Sequence, residues 1–144
     1  MTQLREALGV GRGDVVSFVG AGGKTTTVMR LADELSAARQ KVIFTTTTKI
    51  MEPVPREDEC LIISEDADST RARIPGLLAR YAKIILARRR LDETDTRIEG
   101  DVGYPFPVRG NKLKGVAPET VDQLARQLGG KPIILVEADG ARHC

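Results

Sequence analysis

The sequence has 144 residues, the length of one ordinary domain. Lys and Arg total 22 against 20 Asp and Glu, so the formal net charge is only +2. This balance argues against a protein dedicated to nucleic-acid binding and against a disordered acidic tail. Aromatic residues make up 3% of the chain, which argues against a stacking surface for single-stranded nucleic acid.

The compartment is predicted from cysteine content and from apolar runs. Cys60 and Cys144 are too few for a disulfide framework. The first residues lack the basic-then-apolar pattern of a secretory signal, and no apolar run approaches the ~20 residues that span a bilayer. We therefore expect a soluble, cytoplasmic protein with neither a membrane nor a nucleic acid as its partner.

Short apolar runs alternate with helical patterns along the chain. Strands that are apolar throughout, rather than alternating, are typical of a parallel sheet covered by helices on both faces. The sequence therefore predicts an α/β fold with a mostly parallel sheet. The predicted strands cover 15–19, 42–45, 61–63, 83–87 and 133–136, and the predicted helices cover 24–39, 69–81 and 118–128, with Pro75 at the start of the second helix proper.

Two features depart from this alternation. The stretch 88–116 has no clear periodicity and is rich in glycine and proline, which predicts a functional loop, a lid or an irregular hairpin. The last predicted strand ends near Val136, and no helical pattern follows it. We therefore expect residues 1–144 to form a single α/β domain that is an incomplete part of a longer protein.

A glycine-rich turn, VGAGGKTTT over residues 19–27, joins the first predicted strand to the first predicted helix. Glycine lets the backbone approach a phosphate group closely, and the N–H groups of such a turn point into one anion-binding concavity. The amino end of the following helix adds partial positive charge. A strand, a glycine-rich turn and a helix in this order predict a phosphate-binding loop.

The turn is shorter than the common phosphate loop, because Phe18 stands where the usual spacing places the first glycine. The shortened form resembles the loop of the Mur-type peptide ligases, which bind ATP. We expect Lys24 to neutralise phosphate charge and Thr25 to hold Mg²⁺. The alternative is a plain turn with a surface lysine. The residues expected to surround the nucleotide phosphates are Gly20, Ala21, Gly22, Gly23, Lys24, Thr25 and Thr26.

The last predicted strand ends in two acidic residues, Glu137 and Asp139. Ligands of open α/β sheets gather at the carboxyl ends of strands, where carboxylates hold Mg²⁺ directly or through water. We expect Glu137 on the magnesium side and Asp139 in a water-orienting role, and with Lys24 they form the candidate catalytic set. The alternative is an ordinary strand-end turn, since Asp-Gly is a turn-forming pair.

Four threonines and a lysine, residues 45–49, follow the second predicted strand at the same sheet edge. We expect Thr47 and Lys49 to contact phosphate, metal or substrate; the alternative is a strand extension of β-branched residues.

Two groups of basic residues are weaker indications of a ligand site. The arginines at 88–90 and the pair Lys112 and Lys114 either are solvated or face an anionic ligand.

Four segments in this order resemble YqeC-type proteins, a family associated with accessory functions for selenium-dependent molybdenum hydroxylases. They are VVSFVGAGGKTT at 15–26, TTTTK at 45–49, KLKGVAPE at 112–119 and LVEADGAR at 135–142. The resemblance implies a cytoplasmic nucleotide-binding protein that assists cofactor maturation, with a hydroxylase or its cofactor as partner. Members of the family are longer than this chain, in agreement with an incomplete domain.

Three functions stay open at this point. The first is a Mg²⁺-dependent NTPase acting on ATP or GTP. The sequence contains no recognisable base-reading motif that would distinguish the two nucleotides. The second is a non-hydrolysing module in which the nucleotide is a structural ligand, since no catalytic base such as a positioned glutamine is identifiable. The third is a small-molecule kinase or ATP-dependent ligase, with 88–116 as the candidate substrate region.

Overall fold

The structure, a computed structural model, describes residues 4–19, 24–94 and 107–138. Within that part of the chain, no helix has the length and apolarity needed to cross a membrane. The helices are α1 (Leu4–Leu8), α2 (Lys24–Ala37), α3 (Ala67–Arg80) and α4 (Pro118–Leu128), and the strands are β1 (Val15–Phe18), β2 (Val42–Thr46), β3 (Lys49–Pro53), β4 (Glu59–Ile63), β5 (Lys83–Ala87), β6 (Arg89–Thr94), β7 (Val108–Lys114) and β8 (Ile133–Glu137).

The main sheet has five strands in the order β1-β8-β2-β5-β4, and all of its pairings are parallel. This confirms the predicted α/β fold with a mostly parallel sheet. Successive residues of the central strands point alternately into two apolar cores, one on each face of the sheet. Each large apolar side chain that is fully buried there stabilises the fold by about 1.5–3 kcal/mol. Phe44, Ile85 and Leu135 pack with α2, whereas Ile43, Ile84 and Ile134 pack with α3 and α4.

Helix α3 corrects one prediction, because it begins at Ala67 and Pro75 lies in its interior. Asp66 caps the helix by accepting a backbone hydrogen bond of 3.0 Å. Proline has no N–H, so the carbonyl four residues earlier loses its helical donor. That carbonyl belongs to Arg71, and Gln127 of α4 donates to it through Nε2 at 2.8 Å. The neighbouring helix therefore supplies the hydrogen bond that Pro75 removes.

A second, antiparallel sheet has the order β3-β7-β6. The stretch 88–116, predicted as a functional loop, a lid or an irregular hairpin, contributes two of its strands, β6 and β7, which pair antiparallel. Strand β3 was absent from the predicted elements. The small sheet is attached to the main core by Ile50 and Leu113, which are buried beneath α2. Leu113 lies between two lysines, and Ile50 forms only a two-residue apolar pair with Met51, so neither strand has an apolar run of the length that marks the other strands.

One buried carboxylate holds the small sheet together electrostatically. The side chain of Glu52 on β3 accepts two hydrogen bonds from Arg90 on β6, from Nε at 2.8 Å and from Nη2 at 3.0 Å. Arg109 on β7 lies 3.4 Å from the same carboxylate, which is only 2% exposed. The hydrogen bonds from Arg90 hold the pKa of Glu52 below its ordinary value. All three strands therefore meet at one charge cluster.

Candidate functional site

The carboxyl ends of β1, β8 and β2 lie side by side, with β8 in the middle. In the strand register, Glu137 lies opposite Phe18 on one side and opposite Thr46 on the other. The backbone N–H of Ala138 donates to the carbonyl of Phe18 at 2.9 Å, which extends the pairing past the strand. The acidic end of β8 thus lies between the strand that leads to the glycine-rich turn and the strand that ends in threonines. Glu137 is 5% exposed.

Thr46 connects β2 to β8 through its side chain. Its hydroxyl donates to the carbonyl of Glu137 at 2.9 Å and accepts from the backbone N–H of Thr48 at 3.0 Å. The hydroxyl of Thr45 donates to the carbonyl of Leu86 at 2.9 Å. Both threonines are buried strand residues, so for them the strand-extension alternative is confirmed.

The other members of the threonine run lie outside the core. Thr47 is half-buried beyond the end of β2, and Lys49 is exposed at the start of β3. The backbone N–H of Thr47 donates to the carbonyl of Glu137 at 3.1 Å, so its main chain lies next to the acidic strand end. Thr47 and Lys49 are therefore placed at the predicted edge, and their contact with a ligand stays a prediction.

On the β2 side of this edge, the backbone that follows β7 lies directly against the backbone at the end of β2. The N–H of Gly115 donates to the carbonyl of Thr48 at 2.6 Å, and the N–H of Val116 donates to the carbonyl of Thr46 at 2.8 Å. A Cβ atom at position 115 would lie 2.1 Å from the Thr46 carbonyl oxygen. Only glycine permits this approach. The segment KLKGVAPE therefore contains a glycine that the second sheet needs in order to attach to β2.

The second sheet aligns three cations in one row. Lys114 on β7 lies opposite Lys49 on β3 and also opposite Arg89 on β6. The row concentrates positive charge on one face of the small sheet, which favours an anion beside it. Sequence reasoning treated these residues separately, Lys49 with the threonine run and the other two within the weaker basic groups, because the pairing that aligns them joins strands distant in the chain. Lys49 follows Thr46 by three residues, so the row begins within about 11 Å of that strand end.

The amino end of α2 also has the character of an anion site. Its first turn contains no acidic residue, whereas the first turns of α3 and α4 contain Asp68 and Glu119. An uncompensated helix amino end favours a negative ligand. The structure places Lys24 and Thr25 as the first two residues of α2, and Thr26 is exposed in the same turn. The predicted residues Gly20, Ala21, Gly22, Gly23 and Asp139 lie outside the described residues.

The edge offers oxygen atoms of the kind that Mg²⁺ prefers as ligands. Among residues 4–19, 24–94 and 107–138, no group of three or more His, Cys, Asp or Glu could hold a metal ion. Mg²⁺ in nucleotide sites needs only one or two protein oxygen ligands, because phosphates and water supply the rest. One strand-end carboxylate, Glu137, and one hydroxyl at a helix start, Thr25, are a donor set of this kind.

Fold and site together define the class: a mostly parallel α/β protein with polar and charged groups gathered at the carboxyl ends of neighbouring strands. The chain belongs to the YqeC protein family, whose family model matches residues 16–144. It is 28% identical over 134 residues to "Uncharacterized protein YqeC" of Escherichia coli (strain K12), an alignment covering 91% of this chain and 42% of that relative. The chain thus spans less than half the length of the relative. No solved structure matches it.

Proposed function

We propose that this protein binds Mg²⁺ with ATP or GTP at the carboxyl edge of its main sheet. The observation that carries the proposal is the position of Glu137, between the end of β1, which leads into the glycine-rich turn, and the end of β2. A phosphate-binding turn and a strand-end carboxylate on neighbouring strands form the arrangement used by P-loop-type NTPases. The shortened, Mur-ligase-like turn supports the same class of site.

In this proposal each residue has a separate task. Lys24 neutralises charge on the terminal phosphates, Thr25 and Glu137 are the metal-side ligands, and Asp139 orients a water. Mg²⁺ supplies charge neutralisation between phosphate oxygens when it is bound. The residues that contact phosphate oxygens are Gly20, Ala21, Gly22, Gly23, Lys24, Thr26, Thr47 and Lys49.

The row of Lys49, Lys114 and Arg89 is independent support for a phosphate ligand. A triphosphate carries several negative charges, and a row of three cations that begins near one strand end attracts such a group. The row reaches this edge because Gly115 attaches the small sheet to the end of β2. The second sheet therefore adds positive charge beside the proposed phosphate site.

We propose phosphoryl transfer to water or to a second substrate as the reaction. Such reactions depend mainly on positioning and on charge stabilisation, which the strand ends, the helix amino end and the cations supply. YqeC membership, together with the resemblance drawn from the sequence, supports a role in the maturation of selenium-dependent molybdenum hydroxylases, with a hydroxylase or its cofactor as the partner.

Calorimetric titration with ATP and with GTP, each with and without Mg²⁺, tests the binding site. We expect Mg²⁺-dependent binding of one nucleotide and at least a tenfold loss of affinity, about 1.4 kcal/mol, in Lys24→Ala. Lys131→Ala is the matched control, because it removes an exposed lysine at the other edge of the sheet. Unchanged binding by folded Lys24→Ala would refute the site.

Turnover assays then separate the three functions. Phosphate release from the nucleotide alone identifies an NTPase, and tight binding without release identifies a non-hydrolysing module. Release that requires a small molecule identifies a kinase or ligase. A cavity beside the proposed nucleotide site favours the last of these.

A further inference from the structure

A cavity of about 210 Å³ opens at the same edge of the main sheet, beyond β2. It lies where β4 and β5 end and where α3 and α4 begin. This is the carboxyl edge, at which open α/β sheets bind their ligands. The residues used below are Ser64, Glu65, Thr70, Arg88, Val116 and Thr120, all of which line the cavity.

Thr70 points to a missing ligand. The residue is only 5% exposed, and its hydroxyl has no hydrogen-bond partner among the described residues. A buried hydroxyl without a partner destabilises a protein, and such groups are rare in folded structures. Threonine adopts two χ1 rotamers in helices, so its hydroxyl and methyl group can exchange places at the cavity wall. The hydroxyl oxygen is itself buried, so a ligand oxygen in the cavity would supply the absent partner once a change of χ1 turns the hydroxyl toward it.

The surroundings of the cavity favour a negative ligand. Arg88 lines it, and its Nε lies 3.7 Å from the carboxylate of Glu65, with both side chains largely exposed. Exposed pairs of this length are weak, so Arg88 is readily recruited by another anion. The amino ends of α3 and α4 both face this region, and Ala117, the N-cap residue of α4, provides no side-chain cap. Because Asp66 caps α3 and the first turn of each helix carries an acidic residue, the positive charge at the cavity comes from Arg88.

The volume limits the size of the ligand. A water molecule occupies about 30 Å³ in the liquid, so the cavity has room for about seven. Pockets for larger organic ligands begin at about 300 Å³. The cavity therefore suits a small anionic group rather than a whole nucleotide. The hydroxyls of Ser64 and Thr120 at its wall are the kind of groups that bind carboxylate or phosphate oxygens.

A single residue joins this cavity to the proposed nucleotide site. Val116, which lines the cavity, donates its backbone N–H to the carbonyl of Thr46 at 2.8 Å. The hydroxyl of Thr46 donates to the carbonyl of Glu137 at 2.9 Å. The two sites are therefore adjacent along one sheet edge, on either side of β2.

We propose that this cavity binds the carboxylate or phosphate group of a small anionic substrate, held by Arg88, Thr70, Ser64 and Thr120. Its role as the phosphoryl acceptor beside the nucleotide rests on the proposed function, whereas anion binding in the cavity does not. The same chemistry serves a carboxylate and a phosphate, so both are used as probes.

Amide NMR titration of the folded chain with inorganic phosphate, and separately with acetate, tests the proposal. We expect saturable shifts at Thr70, Arg88 and Thr120, and the anion that produces them identifies the group. Arg88→Met should weaken this binding about tenfold, because hydrogen bonds to charged groups are strong. Arg126→Met, an equal loss of charge on an exposed part of α4, should leave it unchanged.

Thr70→Val provides a second test in which stability and binding change in opposite directions. Removing an unpaired hydroxyl should leave stability equal or higher while weakening anion binding about fivefold. Ser36→Ala is the matched control, since its buried hydroxyl is also unpaired but lies outside the cavity. It should leave anion binding unchanged. Absence of saturable shifts, or shifts that survive both Arg88→Met and Thr70→Val, would overturn the proposal.

Lys24→Ala distinguishes this proposal from the nucleotide site. We expect it to abolish nucleotide binding and to leave the anion-induced shifts at Thr70 and Arg88 intact. If the unaltered protein shows the anion-induced shifts but binds no nucleotide, the anion site in the cavity stands and the nucleotide proposal is rejected. Nucleotide binding without these shifts would reject the cavity alone.

Discussion

The hydroxyl of Thr46 donates a hydrogen bond of 2.9 Å to the carbonyl of Glu137, and both residues are buried. The same hydroxyl accepts from the N–H of Thr48 at 3.0 Å. One side chain therefore holds the acidic end of β8 against the turn that leaves β2. Because each hydrogen bond replaces one made to water in the unfolded chain, its net contribution to stability is about 0.5–1.5 kcal/mol.

Thr46→Val should lower the free energy of unfolding by about 2 kcal/mol, because the Thr48 N–H loses its acceptor. The same variant should weaken Mg²⁺–nucleotide binding about fivefold by loosening the proposed site. Thr45→Val is the matched control, with one buried hydroxyl bond to Leu86 lost. It should cost about 1 kcal/mol in stability and nothing in binding. Urea unfolding and calorimetry measure both; equal binding losses in the two variants would contradict the assigned role of Thr46.

Gly115→Ala should destabilise the protein by about 1–3 kcal/mol, because the new Cβ would collide with backbone atoms of Thr46. Gly76→Ala is the control for the same chemical change. A Cβ there meets nothing within 4 Å, and alanine in a helix is favoured over glycine by about 0.5–1 kcal/mol. Thermal unfolding should therefore shift down for Gly115→Ala and up for Gly76→Ala. An unfolding temperature that rises for Gly115→Ala, as it should for Gly76→Ala, would show that the close approach to Thr46 does not require glycine at position 115.

Glu52→Gln should lower the free energy of unfolding at neutral pH. It should also reduce the amount by which that free energy falls when the pH is lowered. The pKa of Glu52 is lowered in the folded protein by hydrogen bonds from Arg90. The unfolded chain therefore binds this proton more readily, so the stabilisation is present above the ordinary pKa of 4.5 and is lost as pH falls below it. Urea unfolding from pH 7 to pH 3 should show the difference between Glu52→Gln and the unaltered protein narrowing with acid.

Glu57→Gln is the control for this titration, since it removes an exposed glutamate outside the Glu52 cluster. At pH 7 this substitution should change the free energy of unfolding by less than about 0.5 kcal/mol. A constant difference between Glu52→Gln and the unaltered protein down to pH 3 would contradict a lowered pKa at Glu52.

Gln127→Ala should destabilise the protein by about 1 kcal/mol, because the Arg71 carbonyl loses its donor. Pro75→Ala restores a backbone N–H that can donate to the same carbonyl within α3. In a Pro75→Ala background, Gln127→Ala should therefore cost much less. A double-mutant cycle measured by urea unfolding gives the coupling between the two sites. Strictly additive effects would show that Gln127 does not compensate for the proline.

Much of the main sheet was predictable because its signals are local. The buried strands β2, β5 and β8 are continuous apolar runs, and α2 and α4 carry apolar residues at helical spacing. The start of α3 was missed, since proline is typical of a first turn and the compensating donor, Gln127, lies on another helix. The second sheet was not predicted, because Ile50 and Leu113, which join it to the core, lie in segments with at most two consecutive apolar residues.

The sequence by itself determined the alternation of strands and helices, the family and the order of a glycine-rich turn and an acidic strand end, because each is a property of consecutive residues. Only the tertiary structure decided that β8 inserts between β1 and β2, that Lys49, Lys114 and Arg89 form one row, and that Thr70 and Arg88 share a cavity. These relations join residues far apart in the chain. They depend on strand order and register, which arise when the whole sheet packs against its helices.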